Sequence, residues 1–181
     1  EYESLPNVRI IKNKENLGLN AYKKLFCMAR GKYIIELDDD VLDFPVGFDV
    51  IMVDYLEHFR DYGYLSLNVI QDEKTNGAKP DMSNYCDDVR GDRVVEEGPN
   101  GGWCAIFRRK YLFLLVPILW FYNIKMKMPE DALLVSFFAR LKLRHGIIKE
   151  AKCLHACGPV YAKEFRRSSR EVEKYEIGGL P

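Results

Sequence analysis

Tyr33–Asp40 reads YIIELDDD, five residues of strand composition running straight into three aspartates. β-branched and aromatic residues fit a pleated, buried surface, and no residue in the run breaks a strand. Three consecutive carboxylates repel one another, which costs stability unless something cationic sits among them. In extended backbone alternate side chains share a face, so Asp38 and Asp40 are expected to converge while Asp39 points elsewhere. Two hard oxygen ligands at that spacing suit Mg²⁺ or Mn²⁺, which take few protein ligands and complete their shell with phosphate oxygens and water. A solvated acidic turn is the plainer alternative.

Outward from this stretch the pattern alternates. Val8–Ile11 has the composition of a short strand. Leu17, Ala21, Leu25, Met28 and Ala29 recur at helical spacing, and Gly31 stops that helix. Residues 48–59 fit a helix with Ile51, Tyr55 and Phe59 on one face. Tyr64–Ile70 reads as a strand, and the polar stretch 71–91 as a loop. Arg93–Glu97 and Trp103–Arg108 look like strands either side of a GPNGG turn. Residues 130–144 form the clearest helix, with Leu133, Leu134, Phe137, Phe138 and Leu141 at three- and four-residue steps and Gly146 ending it. Ile147–Ala151 is a last strand. Strands alternating with helices predict an α/β domain with a mostly parallel central sheet flanked by helices. In such sheets ligands bind beyond the carboxyl ends of the strands, which puts weight on the three aspartates after YIIEL.

A chain of 181 residues is long enough for one domain with a real core. Its formal net charge is zero, which argues against a general nucleic-acid binder; an anionic ligand must be held by local groups. The five cysteines are odd in number and show no framework spacing, so a reducing, cytoplasmic setting is expected. Residues 111–122 (YLFLLVPILWFY) form a twelve-residue apolar run between basic flanks. A spanning helix needs roughly 20 apolar residues, and Pro117 interrupts this run. A buried element is expected, with peripheral membrane contact through 111–122 as the alternative.

The stretch RIIKNKENLGLNAYKKLFCMARGKYIIELDDDV (Arg9–Val41) resembles the heart of a family-two glycosyltransferase with the GT-A, Rossmann-like fold. Asn16, Gly18, Ala21, Gly31, Lys32, Tyr33, Asp38 and Asp40 match the order of that family's motifs, ending in its Asp-x-Asp. GPNGGWCAIFRRKYL resembles the family's Gly-Gly stretch and its strand ending in Arg-Arg. PEDALLVSFFARLKLRHG resembles its Glu-Asp helix, closing with Gly146. The resemblance runs from about Val8 to His155. The family's opening strands, which hold the nucleotide base, have no counterpart upstream of Val8. The expectation is therefore an amino-terminally truncated GT-A domain over 1–162, followed by a charged tail at 163–181.

The resemblance implies a metal-dependent, inverting transfer of a sugar from a nucleotide-diphosphate sugar, UDP-linked by expectation, to a carbohydrate or other hydroxyl acceptor. It implies Asp38 and Asp40 as ligands of Mn²⁺ or Mg²⁺ on the donor diphosphate, with Asn16, Gly18, Asp38 and Asp39 around the nucleotide. Glu130 and Asp131 fall on the Glu-Asp pair, whose Asp acts as general base toward the acceptor. Gly101, Gly102 and Trp103 would lie beside a sugar, since glycine lets backbone approach a ligand and an aromatic face suits a sugar ring; a plain hairpin turn and a core Trp are the alternative. His155, in CLHACG, would complete the metal shell. Cys153, His155 and Cys157 alternate as zinc ligands would, but no fourth ligand is apparent. Lys24, Arg108 and Arg109 are candidate partners of the diphosphate, or ordinary surface charge.

Two other readings stay open. A non-catalytic GT-A-like module would bind carbohydrate or a partner without metal-dependent nucleotide binding. A sugar nucleotidyltransferase would bind a nucleoside triphosphate and release pyrophosphate, but its Gly-rich, basic signature is not visible.

Overall fold

The computed structural model describes residues 4–17, 20–75, 79–121 and 130–164. Among these, seven strands form one mixed, open sheet with helices packed on both faces. The strands are β1 (Tyr33–Leu37), β2 (Val41–Asp43), β3 (Tyr62–Val69), β4 (Cys86–Arg90), β5 (Arg93–Glu97), β6 (Cys104–Arg108) and β7 (Arg144–His155). The helices are α1 (Ala21–Met28), α2 (Phe48–His58), α3 (Leu112–Phe121), α4 (Glu130–Arg140) and α5 (Pro159–Glu164). The strand order is β1-β6-β3-β7-β5-β4, with β2 pairing the end of β7.

Burial on both faces explains the composition of the central strands. All of β3 and β6 is buried, as near-continuous apolar runs require when helices cover both sides. Alternate residues divide between two cores. Leu65, Leu67, Cys104 and Ile106 join Met52, Tyr55, Leu56 and Phe59 of the α2 side. Tyr64, Ala105 and Phe107 join Phe26, Leu115, Leu119, Leu134 and Phe138 under α1, α3 and α4.

The α/β reading therefore holds, but the sheet is not mostly parallel. Only β3 and β7 pair parallel; the other five pairings are antiparallel. The cause is β6, which returns from the GPNGG turn and inserts antiparallel between β1 and β3. β1, β3 and β7 consequently run in one direction, and their carboxyl ends share one edge of the sheet.

Several local expectations shift. Val8–Ile11 is not a strand: Val8 and Ile10 are exposed, and a strand without a ladder partner leaves its backbone groups to water. The end of the expected loop at 71–91 is the edge strand β4, folded back on β5 through Gly91 and Asp92. β5 and β6 do not pair with each other; they take different neighbours. Gly146 does not end α4, which stops at Arg140, with Lys142 in the left-handed region at φ 57°. Gly146 lies within β7, where an added Cβ would sit 2.5 Å from the Glu96 carbonyl oxygen, so close strand approach requires glycine there. The last strand runs on to His155, past an irregularity at Lys149–Ala151. There the Asn68 amide donates to the Lys149 carbonyl at 2.9 Å. The 163–181 tail begins with the end of α5, and 165–181 lies outside the described residues.

Candidate metal centre and active site

The site is assembled at the shared carboxyl edge of β1 and β7. β1 ends at Leu37, and the Asp38 N–H donates to the Trp103 carbonyl at 2.9 Å. The chain then turns, with the Val41 N–H donating to the Asp38 carbonyl at 3.3 Å. Asp38 and Asp40 do converge and Asp39 is exposed, yet this comes from a turn at the strand end, not from alternation along extended backbone. β2, immediately after, pairs Val41 with His155. The Ala156 N–H donates to the Asp40 carbonyl at 2.9 Å. These backbone bonds bring the end of β7 against the acidic turn.

The result is a group of one ligand atom each from Asp38, Asp40 and His155, all within 4.8 Å of one another. His155 Nε2 and Asp40 Oδ1 are 2.9 Å apart, and the His155 side chain is only 9% exposed. Its Nδ1 is buried without a hydrogen-bond partner, a costly state for a ring nitrogen. Burial first, and then the Asp40 charge, raise the Asp38 carboxyl above its ordinary range; His155 opposes this, and Asp39 and Asp131 add to it. These residues fit a divalent cation. Two carboxylates and an imidazole are a usual donor set, and the imidazole favours Mn²⁺ over Mg²⁺, which prefers oxygen.

The GPNGG turn and the start of α4 form the neighbouring wall. Ser66 Oγ donates to the Gly101 carbonyl at 2.6 Å and accepts from the Asn100 amide at 2.9 Å, which fixes the turn to β3. An added Cβ on Gly101 would lie 2.5 Å from the Trp103 ring and 3.2 Å from Asp131 Oδ2. Glycine is thus required for the turn to lie between Trp103 and Asp131. Asp131 is half-buried, and its Oδ1 accepts from the Ala132 N–H at 2.7 Å. Asn100 carries no role in the sequence reading beyond that of a turn residue, but its Oδ1 is buried without a partner beside this wall.

The other expected residues fall out differently. Trp103 is 5% exposed, its indole N–H donates to the Leu67 carbonyl at 2.9 Å, and its ring centroid is 6.0 Å from that of His155. It supports His155 from within the core and offers no open face to a sugar. Gly102 is half-buried in the same turn, and Asn16 is exposed in the segment before α1. Gly18 and the side chain of Glu130 lie outside the described residues. Lys24 is exposed on α1. Arg108 pairs across from Tyr33, at the opposite end of β1 from Asp38, a separation of about 16 Å. Its guanidinium donates to the Leu56 and Tyr62 carbonyls, and Arg109 follows it. Neither lies at the acidic edge. Cys153 is buried beside Cys104, and burial pushes both thiols up to about 12. Among the described residues the group around His155 is Asp38 and Asp40, and neither Cys153 nor Cys157 joins it as the alternating Cys-His-Cys would require for zinc.

No protein family matches this chain, and no curated protein is significantly similar to it.

Proposed function

We propose that this chain carries the metal and acceptor sites of an inverting, GT-A-like glycosyltransferase that moves a sugar from a nucleotide-diphosphate sugar to an acceptor hydroxyl. The observation that carries the reading is the convergence of Asp38, Asp40 and His155 within 4.8 Å, with Asp131 across Gly101 from Trp103. Asp38, Asp40 and His155 would hold Mn²⁺, which when bound stabilises the charge left on the departing diphosphate as a Lewis acid. Asp131, in the first turn of α4, accepts the proton of the acceptor hydroxyl. The acceptor oxygen bonds to the anomeric carbon as the sugar–phosphate bond breaks, and the diphosphate leaves with that electron pair. Gly101 keeps the space in front of Asp131 open. Asn100 Oδ1, otherwise unpartnered, can accept from an acceptor hydroxyl. The five cysteines are free thiols, which fits a cytoplasmic setting for the reaction.

Calorimetric titration of UDP and of GDP, with Mn²⁺ or with EDTA, tests this on the wild type and on Asp40→Ala. The expected result is binding to one nucleotide that requires Mn²⁺ and disappears in the variant. A folded protein that binds neither nucleotide with Mn²⁺ would instead be a carbohydrate- or partner-binding module.

A further inference from the structure

The end of the sheet away from the acidic edge carries a second, chemically opposite feature. α3 is apolar on every side. Leu112, Leu115 and Leu119 are buried in the core under α1 and α4. Phe113, Leu114, Pro117, Trp120 and Phe121 follow at one-, three- and four-residue steps, and so form a continuous stripe on the other face. That stripe is open to solvent: Phe113 is 82% exposed, Trp120 64% and Phe121 89%. An all-round apolar helix belongs in a core or in lipid, and among the described residues no helix is long and apolar enough to cross a membrane.

The stripe borders a cleft of about 1220 Å³ whose walls include Arg30, Lys32, Arg60, Arg109 and Lys110 alongside Phe113 and Pro117. Arg108 also lines it but is committed to backbone carbonyls. Glu57 is the one acid among the described lining residues; it accepts from the Tyr33 hydroxyl at 2.7 Å and ion-pairs with Lys32 at 3.7 Å and with Arg108 at 3.6 Å, so the positive charge in excess comes from Arg30, Arg60, Arg109 and Lys110. At the far end of the stripe the Lys23 ammonium lies 6.0 Å over the Trp120 ring. In a chain of zero net charge, this is a local cationic collar around an apolar face. The two together match an anionic bilayer, with headgroup phosphates in the cleft and aromatic side chains at the acyl boundary.

We infer that the α3 stripe and its basic cleft dock the protein on an anionic membrane surface. The cleft itself lies at the other end of β1 from Asp38, since Arg108 pairs with Tyr33 and Cys104 with Leu37. The inference is independent of the transferase reading.

Co-sedimentation with vesicles tests it, using phosphatidylcholine alone against equal parts phosphatidylcholine and phosphatidylglycerol. The wild type is expected to bind the anionic vesicles, to be released at high salt, and to show a blue shift of Trp120 emission that Trp120→Phe removes. The pair Arg109→Glu and Lys110→Glu is expected to weaken binding by at least about 25-fold, on about fivefold per basic residue. The pair Trp120→Ser and Phe121→Ser should weaken it by at least about tenfold. All four side chains are exposed, so melting should be unchanged. Binding to neither vesicle, equal binding to both, or insensitivity to the charge reversals would overturn the inference. A concentration-dependent dimer lost in the Trp120→Ser, Phe121→Ser variant, without vesicle binding, would assign the face to a second copy instead.

Discussion

Two carboxylate clusters in this molecule are built from the same side chains and differ in what answers their charge. At one, Asp61, Asp88 and Glu97 surround Arg90 and Arg144. Arg90 grips Asp61 with two bonds of 2.7 and 2.8 Å and Asp88 at 2.7 Å. Arg144 holds Glu97 at 2.5 and 2.8 Å and reaches Asp88 at 2.5 Å. Both guanidinium groups also lie 4.6 Å over aromatic rings, Phe59 and Tyr62 respectively. All three acids are held below their ordinary range, chiefly by hydrogen bonds to these arginines. At the other cluster, Asp38 and Asp40 face one imidazole, and Asp38 is raised instead of lowered. The first cluster carries its own cations and fastens β4, β5 and β7 to the start of β3. The second brings Asp38 and Asp40 together with His155 at the carboxyl ends of β1 and β7, with no arginine in the group.

The comparison breaks most sharply at Asp131. Asp131→Asn keeps the shape and removes the base. Release of nucleoside diphosphate in the presence of acceptor is expected to fall by about 10²–10⁴, while Mn²⁺-dependent nucleotide binding persists. Loss of binding in parallel with turnover would mean that Asp131 acts on the donor and not on the acceptor.

The next effect is on stability. Arg144→Met leaves Glu97 without its bidentate partner and weakens Asp61 and Asp88. The Arg144 side chain is 34% exposed, so water recovers part of the loss, and we expect about 1–2 kcal/mol in urea unfolding. The pH dependence has a definite sign. Acids whose carboxyls are depressed in the folded state contribute stability above the unfolded value, about pH 4, and lose it as pH falls further. Wild-type stability should therefore drop below about pH 4, and the drop should be shallower in Arg144→Met. An equally steep acid limb in the variant would show that other carboxylates carry it.

What the sequence discloses of all this depends on range. YIIELDDD names a strand that runs into an acidic stretch, because composition decides both within eight residues, but the turn that brings Asp38 and Asp40 together is not legible there. The helix at 130–140 is legible because its apolar stripe is self-contained. The partner that matters to Asp40 lies 115 positions away, and it arrives only because β2 pairs with the end of β7. No local pattern carries that register. The insertion of β6 between β1 and β3 is equally non-local, and it makes the sheet mixed where βα alternation suggests parallel. Arg108 shows the same limit: beside Arg109 it has the composition of a phosphate contact, but the sheet register sets it at the far end of β1. Trp103 invites a sugar-platform reading, and burial turns it into a support for His155. The α3 run is legible as apolar and too short to span; which of its faces would be open depended on where α1 and α4 packed.

The smallest expected effect separates the two clusters most directly. With its carboxyl raised by burial and by Asp40, Asp38 is costly to keep ionised in the metal-free fold. Asp38→Asn should therefore melt higher in EDTA at neutral pH, by about 2–4 °C for a change near 1 kcal/mol. Adding Mn²⁺ should reverse the order, since ligand binding to the folded state raises its stability by mass action: the wild type gains, and the variant, lacking one carboxylate ligand, gains less. In the arginine cluster the corresponding change, Asp88→Asn, should lower melting with or without Mn²⁺, because there the charge already has its partners. If Asp38→Asn also lowers melting in EDTA, the acidic turn is satisfied within the protein, and the contrast between a self-neutralised cluster and one awaiting a cation fails.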